Sequence, residues 1–355
     1  MVMLKSSAMR SASRMATQAA KPSLAPRVGM VQARHNSNGP AKSPRYNAVS
    51  AQYPVETRKQ GMAAETRGPP QPPQKESLNL ETGKEAPTFL GTTKRLPEFN
   101  MADKVVLVSG GARGLGLVQA EAMLEAGAIV YALDRLPEPS PYFQVVQQRA
   151  AETLGTQLHY RQIDVRDAAN LEKVIADIAD QHQRLDGLIA AAGIQQETPA
   201  LEYTAEDANN MFAVNITGAM MTASAAARQM IKYECAGSIV MIASMSGTIA
   251  NRGLICSAYN ASKAGVLQLC RNLAAEWGAH KIRVNTLSPG YIVTDMVEKL
   301  FETHPERRIE WGNQNMLGRV SAPAEYRGAA AFLISEASSY MTGADLRIDG
   351  GHAAW

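Results

Sequence analysis

Long apolar runs are missing from this chain of 355 residues, and none approaches the roughly 20 residues that a membrane-spanning helix needs. No membrane partner is expected. Cysteine is scarce: Cys235, Cys256 and Cys270 are the only three, and no two form a Cys-x-x-Cys pair. They read as small buried hydrophobes in a reducing compartment, not as a disulfide framework. The six histidines lack metal-ligand spacing, so no metal site is expected. Acidic residues are absent before Glu56. What is present is ample apolar material, 45% of the residues, enough for a substantial core.

The missing acids divide the chain electrostatically. Residues 1–100 carry 15 Lys/Arg against 6 acids, a net +9, whereas residues 101–355 carry 21 against 27, a net −6. The acidic body argues against a nucleic-acid-binding surface. Within the basic part, Lys5, Arg10, Arg14, Lys21, Arg27, Arg34, Lys42 and Arg45 are spaced by Ser, Ala and Met. If residues 3–19 are helical, Leu4, Ala8, Met9, Ala12 and Met15 lie near one face. This is the pattern of a mitochondrial transit peptide, expected over residues 1–35, which places the protein in the matrix. A plain disordered basic tail, and so a cytoplasmic protein, is the alternative. Residues 36–95 are rich in proline and poor in large apolar residues, and read as a disordered linker. A single folded domain is expected over 96–355.

Strands and helices alternate from there on. The apolar run at 105–108 and the short segments at 128–133, 159–163, 188–190, 238–242, 283–287 and 345–348 read as strands. Helical spacing marks 115–126, 171–182, a long stretch around 206–234, then 258–278 and 329–334. Such alternation implies one α/β domain, a doubly wound Rossmann-type parallel sheet with helices on both faces. Ligands bind such sheets at the carboxyl ends of the strands.

The chemistry-bearing residues fall at those ends. Ser109-Gly110-Gly111-Ala112-Arg113-Gly114-Leu115-Gly116 follows the first strand and opens a helix. Gly110 permits a tight turn, and Gly114 and Gly116 let the backbone approach a pyrophosphate at the helix N-terminus. Asp134 closes the second strand, where a carboxylate accepts from ribose hydroxyls and repels a 2′-phosphate, favouring NAD over NADP. Arg113 and Arg135 pull the other way, since each can attract a phosphate. Asp164 closes the third strand and is placed to accept from an adenine amino group.

Tyr259 and Lys263 are four residues apart on one helix face. A nearby ammonium lowers a phenol's pKa, and a nicotinamide's positive charge lowers it further, fitting Tyr259 for general acid–base work. Ser244 and Ser246 follow a strand, and a hydroxyl there can bind the substrate oxygen. Asn215 lies in a helical stretch that asparagine disfavours, and its amide is placed to hold a water relaying protons from Lys263. No Gly-x-Ser-x-Gly surrounds Ser244, which excludes the usual serine hydrolase turn.

These motifs, with Asp164-Val165 and Pro289-Gly290-(x)3-Thr294, resemble the short-chain dehydrogenase/reductase family in its compact single-domain branch. The resemblance implies a tetrad of Asn215, Ser244, Tyr259 and Lys263, favouring Ser244 over Ser246, with Ser244 and Tyr259 on the substrate. It implies cofactor contacts from Gly110, Gly114, Leu115, Gly116, Asp134, Asp164, Val165, Asn215, Tyr259, Lys263, Ile292 and Thr294. It also implies a homodimer or homotetramer built on the helices around 206–234 and 258–278. One departure is Ala190-Ala191-Ala192-Gly193, where the family usually has Asn-Asn-Ala-Gly. Another is the slightly long loop Thr248–Ser257. Segments around Ser244, Tyr259 and Asp349 are similar to fungal polyol dehydrogenases and ketose reductases. Asp134 then points to NAD-linked oxidation of D-arabinitol to ribulose, with Gln195, Gln196, Ser246 and Asn251 as polar pocket candidates. A mitochondrial 3-oxoacyl-thioester reductase and a non-catalytic NAD-binding sensor or scaffold are the competing readings.

Overall fold

Val105 to Ser109 is buried at every position, as a strand covered on both faces requires. It is the third strand of a seven-stranded sheet in the computed structural model, which describes residues 96–355. The import leader and the linker expected over 1–95 lie outside the described residues. The strands are β1 (Val105–Ser109), β2 (Ile129–Asp134), β3 (Leu158–Gln162), β4 (Gly187–Ala190), β5 (Ser238–Ile242), β6 (Arg283–Pro289) and β7 (Asp345–Ile348). All pairings are parallel, in the order β3-β2-β1-β4-β5-β6-β7. The order reverses between β1 and β4, where a crevice opens at the carboxyl ends. Register aligns those ends: Ser109 stands opposite both Leu133 and Ala190, and Ala190 opposite Met241.

Alternation along β1 feeds two cores. Val105 and Leu107 join Tyr131 and Leu133 under α3 (Ala168–His182), α5 (Ala219–Lys232) and α6 (Ser257–Trp277). Val106 and Val108 join Val130 and Ala132 under α1 (Gly114–Glu125), α2 (Pro141–Arg149) and α9 (Arg327–Ile334). The result is the doubly wound arrangement expected. α3 shows how the sequence builds such an element. The Asp167 carboxylate accepts from Asn170 N at 3.1 Å, satisfying one free donor of the first turn. Leu171, Ile175, Ile178 and Ala179 then form one buried stripe, and Gln183 ends the helix in the left-handed region at φ 52°. Truncating fully buried Leu171 to Ala costs about 2–5 kcal/mol.

Two features differ from the sequence expectation. The long helix around 206–234 is α4 (Ala205–Phe212) and α5, joined by a π-helical turn at Ala213–Gly218. That wider turn is held by tertiary contacts that periodicity does not report. A Cβ on Gly218 would lie 2.6 Å from Val165, and one on Gly265 of α6 would lie 2.9 Å from Ile216. Second, α2 and the pair α7 (Asp295–Thr303) and α8 (Glu306–Asn313) were not anticipated. α7 and α8 bring Phe301 and Trp311 against Met245 and Tyr291 in a small separate cluster. No helix among the described residues is long and apolar enough to cross a membrane.

Candidate active site

The glycine loop is shaped by steric necessity. Gly110 adopts φ 71°, and a Cβ there would lie 2.8 Å from Ala192 N. A Cβ on Gly116 would lie 2.2 Å from the Gly110 carbonyl oxygen. Gly114, at φ 56°, would meet nothing within 4 Å, so its face is open. α1 therefore starts tight against β1, and no side chain caps its first turn. Its free N–H groups, with half-buried Leu115 among them, can receive an anion. The small segment after β4 closes the other wall, and Ala192 N donates to Ser109 Oγ at 3.3 Å. Alanines where the family usually has asparagines leave this wall held by backbone.

Asp134 stands beside that loop. Its carboxylate accepts from Ala112 N at 3.2 Å and Leu136 N at 3.3 Å, which fixes it next to the glycine turn. Arg113 and Arg135 are both exposed. Asp164 is held differently from the expectation: Arg166 takes both of its oxygens, with Nη2 at 2.6 Å. The guanidinium holds that carboxyl below its usual range. An adenine amino group at Asp164 must share an oxygen with Arg166. Val165 is buried against Gly218.

α6 carries Tyr259 and Lys263 one turn apart, with Lys263 Nζ 5.6 Å from the Tyr259 ring centre. Lys263 is buried and donates to the Ile242 carbonyl at 2.7 Å, and burial pushes its pKa down to about 8. Tyr259 is pushed up to about 12, by burial first, while the Ser244 hydroxyl pulls it down and Cys256 raises it. That rise belongs to the cofactor-free protein, without the nicotinamide charge that the expected lowering includes. The protein alone desolvates the phenol, and Lys263 turns its ammonium to a carbonyl, so desolvation wins. Ser244 is the serine that faces the phenol. Its Oγ also accepts from Ser246 N at 3.1 Å, so Ser246 supports Ser244 through backbone.

Asn215 is tied into the protein through its amide. Its Oδ1 accepts from Ile194 N at 2.9 Å, and its Nδ2 donates to Ile194 O and Ser262 Oγ, each at 2.9 Å. These bonds tie the π turn to the loop after β4 and to α6. Gly193 completes the junction, since a Cβ there would lie 3.4 Å from Asn215 Oδ1 and 3.6 Å from Lys263 Nζ. Sequence reasoning noted Gly193 only as a small residue.

Past β6, Gly290 lies so close to Asp349 that a Cβ would come within 2.8 Å of its Cα. Ile292 bridges to Ser321, and Thr294 Oγ1 accepts from Val297 N at 3.4 Å as the cap of α7. The Thr294 hydroxyl thus has a structural partner as well as its expected place in the crevice. Of the pocket candidates, Gln196 Nε2 donates to Thr198 Oγ1 at 3.1 Å, Gln195 is exposed, and Ser246 and Asn251 are buried. Tyr291 was missed. It sits inside the Pro289-Gly290 motif, but nothing in its spacing reports that its ring lies against Met245. A cavity of about 290 Å³ lined by Gly237, Ser238, Lys281 and Arg283 lies at the amino ends of β5 and β6, away from this chemistry. No cluster of metal-ligating side chains occurs among the described residues.

A model of the family described as Enoyl-(Acyl carrier protein) reductase matches residues 110–353. A short-chain dehydrogenase/reductase of Aspergillus versicolor, notP', is 39% identical over 266 residues, covering 72% of this chain and 89% of that protein. The ribulose-forming D-arabinitol 2-dehydrogenase of Candida albicans is 37% identical over 270 residues, covering 73% and 96%. The chain belongs to the short-chain dehydrogenase/reductase family. A solved short-chain dehydrogenase/reductase from Mycobacterium marinum superposes with a TM-score of 0.68 at 35% identity, covering 73% of this chain and 99% of that one. As a short-chain dehydrogenase/reductase, the chain is an NAD(P)-dependent oxidoreductase of the alcohol dehydrogenase and ketoreductase kind. The crevice fits a dinucleotide on its own geometry: an open Gly114, an uncapped helix start and a fixed carboxylate line one side, and a hydroxyl, a phenol and an ammonium the other.

Proposed function

We propose that this chain interconverts a polyol secondary alcohol and a ketose with NAD, D-arabinitol to ribulose being the leading case. The observation that carries the substrate reading is the likeness to a D-arabinitol 2-dehydrogenase over 96% of that protein's length. Asp134 supports NAD, because its carboxylate is fixed beside the glycine turn, where a 2′-phosphate would be repelled.

In this reading Gly110, Gly114, Leu115, Gly116, Asp134, Asp164 and Val165 hold the adenosine and pyrophosphate half, and Ile292 and Thr294 the carboxamide. Bound NAD supplies the hydride acceptor. Tyr259 takes the proton of the substrate hydroxyl during oxidation and returns it during reduction. Ser244 Oγ hydrogen-bonds the same substrate oxygen. Lys263 reaches the nicotinamide ribose and lends its charge to the phenolate. Asn215 and Gly193 hold the loop after β4 against Lys263. Burial raises the Tyr259 pKa to about 12 in the cofactor-free protein, so the group is a phenol there. Oxidation needs added positive charge, and its rate rises with pH until the phenol is ionised.

The test is a rate survey with NAD and NADP against pentitols, hexitols and a 3-oxoacyl thioester. Polyol activity with NAD is expected. Turnover confined to 3-oxoacyl substrates supports the competing acyl reading, which the 33% identity to a 3-oxoacyl-[acyl-carrier-protein] reductase of Chlamydia pneumoniae favours and Asp134 opposes. We further propose a mitochondrial matrix location, supported by the acid-free basic leader, and a homodimer or homotetramer. Import of a leader–reporter fusion and the solution mass check these two.

A further inference from the structure

The turn that follows β2 is held by β3 through side chains as well as through the sheet ladder. Gln162 stands opposite Asp134 in register, and Tyr160 lies two residues before it on the same face. The Tyr160 hydroxyl donates to the Leu136 carbonyl and lies 3.3 Å from the Asp134 carbonyl. Gln162 Nε2 donates to the Arg135 carbonyl at 3.3 Å. The Ile163 N–H donates to the Asp134 carbonyl at 2.7 Å. Three successive carbonyls, those of Asp134, Arg135 and Leu136, thus each accept from β3 or from the residue just after it.

This clamp bears on the Asp134 carboxylate. The Leu136 N–H is one of the two donors that fix that carboxylate, and the Leu136 carbonyl is the group that Tyr160 holds. If Leu136 moves, the carboxylate loses a donor. Tyr160 is built to stay still: its ring meets Phe143 edge-on at 5.7 Å and packs against the core under α1 and α2. Burial first, and the Asp134 charge second, push its pKa up to about 12, so it remains a neutral phenol that can donate. Arg113 and Arg135, next in the chain to Ala112 and Asp134, are both exposed. Two guanidinium groups can hold a 2′-phosphate once the carboxylate is free to turn away.

We propose that Tyr160 and, more weakly, Gln162 are positioning residues for cofactor choice: by holding Leu136 and Arg135 they keep the Asp134 carboxylate in place against a 2′-phosphate. This rests on the NAD reading of Asp134 above. The residues act through Asp134 and touch neither the cofactor nor the substrate in this account.

NADH and NADPH are titrated by fluorescence into the wild-type chain, Tyr160→Phe, Gln162→Ala, Asp134→Ser and the double variant Tyr160→Phe with Asp134→Ser. The readout is the ratio of Kd for NADPH to Kd for NADH, which needs no substrate. Wild type is expected to favour NADH. Tyr160→Phe keeps the ring against Phe143 and removes the donor, and should lower the ratio about 3- to 10-fold, the scale of one hydrogen bond. Gln162→Ala, at an exposed position, should lower it about two- to threefold and decides the matter if Tyr160→Phe does not fold. In the Asp134→Ser background Tyr160→Phe should leave the ratio unchanged, because the carboxylate it positions is gone. Variants that keep the wild-type ratio overturn the positioning role alone. So does an equal weakening of both cofactors with a lowered Tm, which marks a structural role. The same fall in the Asp134→Ser background also overturns it, since the effect then bypasses the carboxylate. A wild type that binds NADPH more tightly overturns the positioning role together with the NAD reading beneath it.

Discussion

On the β1–β3 side of the crevice, position is enforced by backbone. Gly110 and Gly116 are where they are because a Cβ would collide with Ala192 N and the Gly110 carbonyl. Asp134 is fixed by two main-chain N–H groups. On the β5–β6 side, position is enforced by buried side chains: Lys263 on the Ile242 carbonyl, Asn215 on Ile194, and Tyr291 between Trp311 and His352. The first kind of wall makes a site for a constant ligand. The second can be re-cut one side chain at a time, which is what a change of substrate requires.

Breaking the side-chain wall at its chemical centre has the largest expected effect. Tyr259→Phe keeps the ring and removes the acid–base group, so kcat falls by roughly 10²–10⁴ with cofactor affinity held. Stopped-flow rates and cofactor titration check this, and a variant at full rate removes Tyr259 from the mechanism. The backbone wall breaks through stability instead. Gly116→Ala places a Cβ 2.2 Å from the Gly110 carbonyl oxygen and is expected to cost about 2–3 kcal/mol in urea unfolding, together with dinucleotide binding.

Lys263 links the two walls through pH. Its folded pKa is lowered to about 8 from 10.5, so the unfolded chain binds the extra proton between those values. The cost of burying the ammonium is present in full below pH 8 and is relieved as pH rises toward 10.5. Cofactor-free protein should therefore gain stability over that window, by up to about 3 kcal/mol, relative to Lys263→Met. Parallel Tm–pH curves for the two proteins contradict the assignment. Asp134→Ser sharpens the contrast from the other side. The ratio of kcat/KM with NAD to that with NADP should fall roughly 10- to 100-fold, about 1.4–2.8 kcal/mol. The smallest effect is expected at the rim, where Arg307 pairs with Glu197 at 3.1 Å and both are partly exposed. Glu197→Gln should change KM by about twofold or less.

How far each wall was legible follows from how it is built. Glycine at Gly110 and Gly116 and an acid at the end of β2 are written in residue type, and the alternation of β1 placed them. The inner strands β1, β4 and β5 were found because strands buried on both faces are largely apolar runs, whereas the edge strands β3 and β7 are polar and partly exposed and were placed by the alternation of elements. The π turn around Asn215 was not legible, because what holds it is Ile194 in a distant loop and Ser262 on another helix. Asn215 itself was picked out by poor helix propensity, but the partners of its amide are not reported by periodicity. The burial of Tyr259, which raises its pKa in the cofactor-free protein, was not legible from the charge at helical spacing. α2 was hidden by Pro137, Pro139 and Pro141 around its start. α7 and α8 were hidden by the break at His304-Pro305 between two short helices.

The most direct test of the central claim is the initial rate of D-arabinitol oxidation by the purified protein with NAD and with NADP, followed by reduced-cofactor absorbance with the product ketose identified. The account predicts turnover with NAD well above that with NADP and ribulose as the product. No turnover of any pentitol or hexitol, or a clear preference for NADP, would contradict it.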